Sequence, residues 1–194
     1  MKPVTLAFLL TISLTLIGCS HFSNMFSGSD SSHMSASTSS ASDPDGDQDS
    51  KGANHFAMTR PATGRRVFIF DPKLGSFAVY DGHGQRMNTG RASGGSVYCP
   101  DIGRPCRTIV GRFSIVSKGG ADCVSSAYPI ETNGGAPMPY CMHFGSKGYA
   151  IHGSNAVPDY NASHGCIRVS PTVARWLNTQ FMQIGSTVII LPYS

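Results

Sequence analysis

The chain has 194 residues, 40% of them hydrophobic and 13% charged, so it is long enough for one buried core and too short for two domains of ordinary size. The sequence has no stripe of lysine and arginine interleaved with aromatic residues, which argues against a nucleic-acid-binding surface. Charge is unevenly distributed, because residues 60–194 carry 13 basic and six acidic side chains, a balance of +7 that suits a membrane surface or an acidic polymer.

Residues 1–18 are typical of an export signal. Lys2 supplies a positive start, and the apolar stretch at 4–17 is short for a transmembrane helix. The four residues that end in Cys19 resemble the bacterial lipobox, which implies that Cys19 becomes the lipidated N-terminus; Ser20 after it implies the outer membrane. The alternative is a simply cleaved signal in which Cys19 is incidental. We therefore expect a periplasmic protein that a lipid anchors to the outer membrane.

The segment after the signal has the composition of a linker. Residues 20–50 contain 12 serines, five aspartates and almost no aliphatic residues. Such a segment cannot bury enough apolar surface to offset its chain entropy. We expect residues 19–59 to form a flexible tether and residues 60–194 to form the folded domain.

Six cysteines in an exported chain predict disulfides, because that compartment is oxidising. Once Cys19 and Cys166 are set aside as candidates for lipidation and catalysis, four remain, and these allow three connectivities that sequence alone does not distinguish. Four free buried thiols are the alternative, which the exported location disfavours. We favour bonds between neighbours in the chain, namely Cys99 with Cys106 and Cys123 with Cys141.

The folded domain is predicted to be mainly β, as a sandwich or barrel. Two β-rich runs at 67–70 and 76–80 flank a turn-forming segment, which indicates a hairpin. Glycine and proline separate the later runs, as expected for a small sandwich or barrel. These later β-rich runs are 112–116, 140–144, 149–152 and 187–191.

One short helix is predicted near the C-terminus. Ser170 is placed to cap it and Pro171 suits its first turn. Side chains at helical spacing follow, and we expect the apolar ones to pack into the core: Val173, Trp176, Leu177 and Gln180.

The run from Ser163 to Val169 contains the candidate nucleophile, Cys166. A thiol attacks as thiolate and therefore needs a nearby base. His152 is one candidate base, since it ends a β-rich run, and His164 is another. Gly165 lacks a Cβ, so the amide N–H groups of Gly165 and Cys166 could face a developing oxyanion. A cysteine, a base and backbone donors together indicate acyl transfer.

Other uses of these residues are weaker hypotheses. Cys166 could be a buried structural residue. Cys141 and His143 form a second Cys-x-His pair, but no C-x2-C or H-x3-H spacing supports zinc, and His143 is more simply a surface residue of a strand. A thiol-redox protein would normally have a C-x2-C pair, which is absent. We expect neither a metal nor a cofactor.

The run His152-Gly153-Ser154, followed by Ser163-His164-Gly165-Cys166-Ile167-Arg168, resembles the signature of the YkuD-type L,D-transpeptidases. Weaker similarities follow in the family's order across residues 67–191. The resemblance implies a β-sandwich or barrel-like catalytic domain with one short helix.

The resemblance also implies roles for individual residues. Cys166 would attack the carbonyl that joins a diamino acid to the terminal D-alanine of a peptidoglycan stem tetrapeptide, forming a thioester, and His152 would be the general base. His164 and Gly165 would complete the catalytic loop. Residues near the substrate or supporting the loop would be Ser163, Arg168, Tyr140, Met142, Gly153 and Ser154.

The acyl acceptor stays open at this point. Attack by the amine of a second stem would make a 3→3 cross-link, attack by a lipoprotein would tether that protein, and attack by water would make the enzyme a hydrolase. A catalytically inactive wall-binding lipoprotein is a further alternative, although the nucleophile and the base are both present. We expect a monomer whose partners are stem peptides and, through Cys19, the membrane.

Overall fold

The structure is a computed structural model that describes residues 55–194. The predicted signal at 1–18, the lipidation candidate Cys19 and nearly all of the tether at 19–59 lie outside the described residues. Among residues 55–194, no helix is long and apolar enough to cross a membrane.

Eight strands form one sheet. They are β1 (Val67–Asp71), β2 (Ser76–Tyr80), β3 (Arg86–Arg91), β4 (Gly111–Lys118), β5 (Met142–Phe144), β6 (Tyr149–Gly153), β7 (Ile167–Val169) and β8 (Thr187–Ile190). Their order across the sheet is β3-β2-β1-β8-β4-β5-β6-β7. The β1–β8 and β6–β7 pairs are parallel, and the other neighbours are antiparallel.

The two outermost strands approach each other, so the sheet is a nearly closed barrel. Ser93, just beyond β3, donates its N–H to the Arg168 carbonyl at 3.0 Å, and Arg168 of β7 donates to the Ser93 carbonyl at 2.8 Å. This exchange links the two edges. The predicted mainly β, barrel-like fold with one short helix is confirmed.

The barrel interior is filled by the inward side chains of the strands. The largest fully buried side chains include Phe68, Phe70, Phe77, Met142, Phe144, Ile151, Ile167 and Ile190. Because successive strand residues point to opposite faces, each inward residue leaves its neighbours facing outward or toward a covering loop.

The first hairpin forms where the sequence predicts it. Asp71 Oδ1 accepts the N–H groups of Lys73 and Leu74 at 2.9 and 3.3 Å, and Gly75 adopts a positive φ of 58°. An aspartate that bonds the backbone two or three residues later stabilises such a turn. Two strands are not predicted from the sequence: β3, which is polar, and β7, which has only three residues.

The predicted helix is present as α1 (Pro171–Trp176), and Ser170 Oγ accepts the N–H of Val173 at 3.3 Å. A π-helical turn at Leu177–Phe181 continues it. Two cations satisfy carbonyls at its end: Arg66 donates to the carbonyls of residues 180 and 181, and Lys118 to those of residues 178 and 182. The end of the helical segment is thereby held to the start of β1 and to the end of β4.

Two disulfides close loops on the outside of the barrel. Cys99 is bonded to Cys106, and Cys123 is bonded to Cys141. These are the neighbour pairings favoured from the sequence. Cys166 is the one free thiol among residues 55–194.

Candidate active site

The site lies on the outer face of the parallel strands β6 and β7. Their register pairs Ile151 with Ile167 and His152 with Arg168. Ile151 and Ile167 are buried in the barrel core, so His152 and Arg168 share the opposite face. Cys166 directly precedes Ile167 and therefore lies on that same face, one diagonal step from His152. The strand pair thus brings together the nucleophile and base that the sequence predicts.

Cys166 is half-buried and packs against a small apolar cluster formed by Met138, Cys141 and Ala150. Burial raises the pKa of its thiol above the usual 9.0, although a hydrogen bond with the Ala150 backbone and the nearby Arg168 act in the opposite direction. At neutral pH the thiol is therefore protonated, and it needs a base to become nucleophilic.

His152 is only 6% exposed, and its Nδ1 lies 2.9 Å from the Gly153 carbonyl oxygen. A carbonyl only accepts hydrogen bonds, so Nδ1 carries the proton and Nε2 keeps a lone pair. Burial lowers the pKa of His152 below 6.5, the Gly153 hydrogen bond opposes this, and Arg168 and His143 lower it further. His152 is thus neutral at pH 7 and can accept a proton at Nε2.

The pKa shifts of these two residues have one joint meaning. Burial raises the pKa of the Cys166 thiol and lowers the pKa of the His152 imidazole, so both favour the neutral form. The resting pair is a thiol and an imidazole instead of a thiolate and an imidazolium. A neutral pair of this kind can react by general-base attack, in which the proton leaves sulfur as the carbon–sulfur bond forms.

Residues 163–166 form the nucleophile loop, and Ser163 organises it from inside. Ser163 is buried; its Oγ accepts the N–H of Gly165 at 3.0 Å and donates to the carbonyl of Cys166. Both hydrogen bonds stay within the loop. Ser163 is therefore a support for the loop, and its hydroxyl is not open to substrate as a predicted contact residue requires.

Gly165 is required by conformation and space. Its φ is +124°, and a Cβ at this position would lie 2.6 Å from the ring of Tyr149. The predicted use of its N–H in an oxyanion hole is wrong for this conformation, since that N–H is bound to Ser163. The amide N–H of Cys166 has no hydrogen-bond partner within residues 55–194, which leaves it as the available oxyanion donor.

Met142 does not line the site. It is fully buried and pairs with Ile151, which places its side chain in the barrel core. The prediction that it contacts the acyl donor is therefore wrong, because strand alternation turns its neighbour His143 outward instead. Tyr140 is half-buried with a positive φ of 58° and also packs against the core.

Gly153 and Ser154 directly follow the predicted base in the chain. A Cβ on Gly153 would come within 3.2 Å of Pro171, Ala174 and Pro139, so this buried glycine allows α1 to approach the strand that carries His152. The hydroxyl of Ser154 is bonded to the backbone of Ala156 within its own turn. Gly153 thus sets the packing around the strand that carries His152, and Ser154 stabilises the turn that follows this strand.

His164 lies at the rim of the site. Its Nε2 is 2.6 Å from Asp101 Oδ2, and its ring stacks on Tyr128 with centroids 4.3 Å apart. These contacts occupy the ring on two sides. His152 therefore remains the predicted base.

One group of three potential metal ligands occurs among residues 55–194. Donor atoms of Cys99, Asp101 and His164 lie within 4.8 Å of one another. The sulfur of Cys99 is oxidised in a disulfide, so it offers no thiolate ligand. The group therefore does not have the chemistry of a zinc site.

Four residues near the site were not predicted to belong to it: Tyr149, Tyr128, Asp101 and His143. Tyr149 packs over Gly165, and burial raises the pKa of its phenol. Two of the others come from disulfide-closed loops, where no periodic pattern indicates which side chains face inward. Only His143 could have been found, since the alternation along β5 predicts that it faces opposite to Met142.

Comparison with known structures shows that the domain resembles L,D-transpeptidases. An L,D-transpeptidase from Xylanimonas cellulosilytica is 26% identical with a TM-score of 0.58, and the alignment covers 71% of this chain and 66% of that one. L,D-transpeptidase 3 from Mycobacterium tuberculosis, solved with a faropenem-derived adduct, is 24% identical with a TM-score of 0.54, covering 66% and 60%. The chain thus spans no more than about two thirds of these structures.

The sequence itself identifies the family. No curated protein matches the chain. The profile described as YkuD, L,D-transpeptidase catalytic domain, matches residues 64–190, which include all eight strands, the nucleophile loop and α1. The chain therefore belongs to the YkuD family of L,D-transpeptidase catalytic domains.

Proposed function

We propose that this protein is a peptidoglycan L,D-transpeptidase that uses Cys166 to make 3→3 cross-links between stem peptides. The observation that carries this proposal is the pairing of a free thiol with a neutral, buried imidazole on one face of β6 and β7. Membership of the YkuD family indicates the substrate class.

The first half-reaction forms a thioester. Cys166 Sγ attacks the carbonyl carbon of the peptide bond to the terminal D-alanine, while Nε2 of His152 takes the thiol proton. The amide N–H of Cys166 donates to the developing oxyanion. The carbon–nitrogen bond then breaks, His152 returns the proton to the leaving amine, and D-alanine departs.

The second half-reaction transfers the acyl group. A side-chain amine of another stem attacks the thioester, its proton passes to His152, and the thiol of Cys166 is regenerated. The same thioester could react with a lipoprotein amine or with water. We favour the second stem because the barrel carries a positive net charge, which suits carboxylate-rich glycopeptide.

Arg168 would hold a substrate carboxylate. Its guanidinium is half-buried and lies close enough to His152 and Cys166 to lower the pKa of both. No carboxylate among residues 55–194 forms an ion pair with it. An arginine in this position binds a planar carboxylate in two-point geometry.

Purified disaccharide tetrapeptide tests the proposal. The expected products are free D-alanine and a cross-linked dimer that has lost one D-alanine, both absent with Cys166→Ala, and mass spectrometry would identify them. Tripeptide without dimer would make the protein a hydrolase. No release of D-alanine by the folded wild-type protein would contradict the proposed activity.

A β-lactam gives a second test of the thioester chemistry. The similar structure from M. tuberculosis carries a faropenem-derived adduct. We expect faropenem to acylate this protein at Cys166, with a mass increase that maps to the peptide containing residues 163–168. Absence of an adduct on protein with a titratable free thiol would count against the thioester mechanism.

We also propose a periplasmic location with a lipid anchor at Cys19. The residues before Cys19 support it, and two disulfides in the domain suit an oxidising compartment. Metabolic labelling with an alkyne fatty acid should tag the wild-type protein in the outer-membrane fraction and leave Cys19→Ala unlabelled. Label on the variant would place the lipid elsewhere, and an unlabelled wild type would refute the anchor.

A further inference from the structure

The loop closed by Cys99 and Cys106, here called the 99–106 loop, lies against the nucleophile loop. The Cys106 sulfur is 3.5 Å from the Ser163 carbonyl oxygen, which also accepts the N–H of Ser96 at 2.8 Å. Asp101 lies on a short 3-10 helix at Pro100–Ile102 within the 99–106 loop. The start of the nucleophile loop is therefore hydrogen-bonded to the chain that enters the 99–106 loop and touches the cysteine that closes this loop.

Asp101 makes the side-chain part of this attachment. Its Oδ2 lies 2.6 Å from His164 Nε2, and the face of the same imidazole stacks on the ring of Tyr128. A carboxylate only accepts hydrogen bonds, so the Nε2 of His164 carries a proton and is the donor in this contact. The ring of His164 is thus clamped between one residue of the 99–106 loop and one residue of the loop closed by Cys123 and Cys141.

A single residue, Gly165, separates His164 from Cys166. Its φ of +124° belongs to a region open chiefly to glycine, and glycine alone provides little stiffness. The position of the Cys166 sulfur and amide relative to His152 consequently depends on the hydrogen bonds of Ser163 within the loop and on what holds the loop from outside. His164 is that point of attachment, because it has the last side chain before the nucleophile that binds outside the loop.

We propose that Asp101 is a positioning residue for Cys166, acting through His164. The inference rests on the proposed function for its catalytic readout. An exposed polar contact of this kind contributes little to folding stability, and the Asp101 side chain is 45% exposed. A misplacement of about 1 Å at a reacting atom lowers a rate by about 100-fold. Loss of the contact should therefore slow the reaction far more than it destabilises the fold.

The test compares Asp101→Ala, His164→Ala and the double variant in the full-length protein. We expect Asp101→Ala to lower kcat for D-alanine release by about 10- to 100-fold, with KM unchanged and Tm shifted by no more than about 2 °C. The double variant should be no slower than the slower single variant, because both remove one contact. Asp101→Asn keeps an acceptor oxygen and should recover most of the rate.

Glu131→Ala is the matched control. Glu131 is also an exposed carboxylate in the middle of a three-residue 3-10 helix, Ile130–Thr132, in the loop closed by the other disulfide. Its removal should leave kcat unchanged. An equal loss with Glu131→Ala, additive losses in the double variant, or a normal rate with Asp101→Ala would each overturn the proposal.

Alkylation of Cys166 by iodoacetamide separates this inference from the proposed function, since it needs no peptidoglycan. The pH at which alkylation reaches half its maximal rate should move in Asp101→Ala and stay at the wild-type value in Glu131→Ala. If the wild type releases no D-alanine, the proposed function fails, while the alkylation profiles still decide the role of Asp101. Identical profiles for wild type and Asp101→Ala would contradict positioning.

Discussion

The two faces of the β6–β7 pair do different work with the same backbone. On the inner face Ile151, Ile167 and Val169 have no exposed surface and belong to the barrel core. On the outer face the same strands carry His152 and Arg168, two titratable groups that the core could not hold. Because side chains alternate along a strand, neighbouring residues lie on different faces. Substitutions on the inner face should lower folding stability, and substitutions on the outer face should lower activity.

Cys166→Ala should have the largest effect and show the clearest separation. We expect thioester formation and D-alanine release to be lost, because no other thiol is free among residues 55–194. The thermal midpoint should stay near the wild-type value, since Cys166 packs on the outer cluster and not in the barrel core. Residual D-alanine release after removal of the thiol would break the assignment.

His152→Asn should come next. The rate of Cys166 acylation should fall by about 10²- to 10⁴-fold, the usual contribution of a general base. Because the proton moves during attack on a neutral pair, the wild-type reaction should be slower in D₂O than in H₂O, whereas a preformed thiolate would show little difference. Stopped-flow acylation in both solvents distinguishes proton transfer during attack from a preformed thiolate. His164→Asn is the comparison variant, because it removes a histidine that is not the predicted base.

Ile167→Ala tests the inner face. Removing a fully buried isoleucine side chain should lower the free energy of unfolding by about 2–5 kcal/mol, measured by urea denaturation. Ile167→Val is the matched control, with an expected loss of about 0.5–1.5 kcal/mol. At temperatures where it remains folded, Ile167→Val should keep near-normal acylation. A strong catalytic defect in this mild variant would show that the two faces are coupled.

Gly165→Ala tests the nucleophile loop that leads into the outer face of β7. The new Cβ would meet Tyr149 at 2.6 Å at a φ of +124°, and we expect a loss of about 1–3 kcal/mol. Gly148→Ala is the control, since Gly148 also has a positive φ, +74°, but nothing within 4 Å of an added Cβ. Gly165→Ala should therefore slow acylation as well as destabilise the domain, while Gly148→Ala should affect stability alone.

The smallest effect should appear in the pH dependence of stability. Burial lowers the pKa of His152 below 6.5 in the folded state. As the pH falls below 6.5, His152 binds a proton in the unfolded chain but stays neutral in the folded chain. Protonation of this residue therefore lowers the free energy of unfolding. Urea denaturation between pH 7.5 and 4.5, a window of about three units around the histidine pKa, should show a shallower decline for His152→Asn. Parallel curves would contradict a buried neutral imidazole.

Much of the fold was predictable because local signals agree with the tertiary structure. The hairpin around Asp71 and the cap at Ser170 satisfy their own backbone, and the apolar runs of β6 and β8 bury their own side chains. Strand β7 was missed because three residues provide no periodicity, and its pairing partner, β6, comes from a separate part of the chain.

The site was predictable to a lesser degree. The nucleophile and the base could be identified from two short runs of the sequence, at 152–154 and 163–168. The roles of the residues around them depend on contacts between segments that are distant in the chain. Met142 was misplaced because the face that a strand residue occupies depends on register, and a shift of one residue exchanges the faces. The contact of Asp101 with His164 spans 63 residues, and no local spacing indicates it.

The hydrogen bonds between Ser93 and Arg168 also protect the domain from self-association. A free edge strand offers unpaired N–H and C=O groups to the edge of another molecule, and this is a common route to aggregation. Here the outer edge of β7 is already bonded to the chain that leaves β3. The strand that carries the chemistry can therefore be as short as three residues without becoming a template for a second copy.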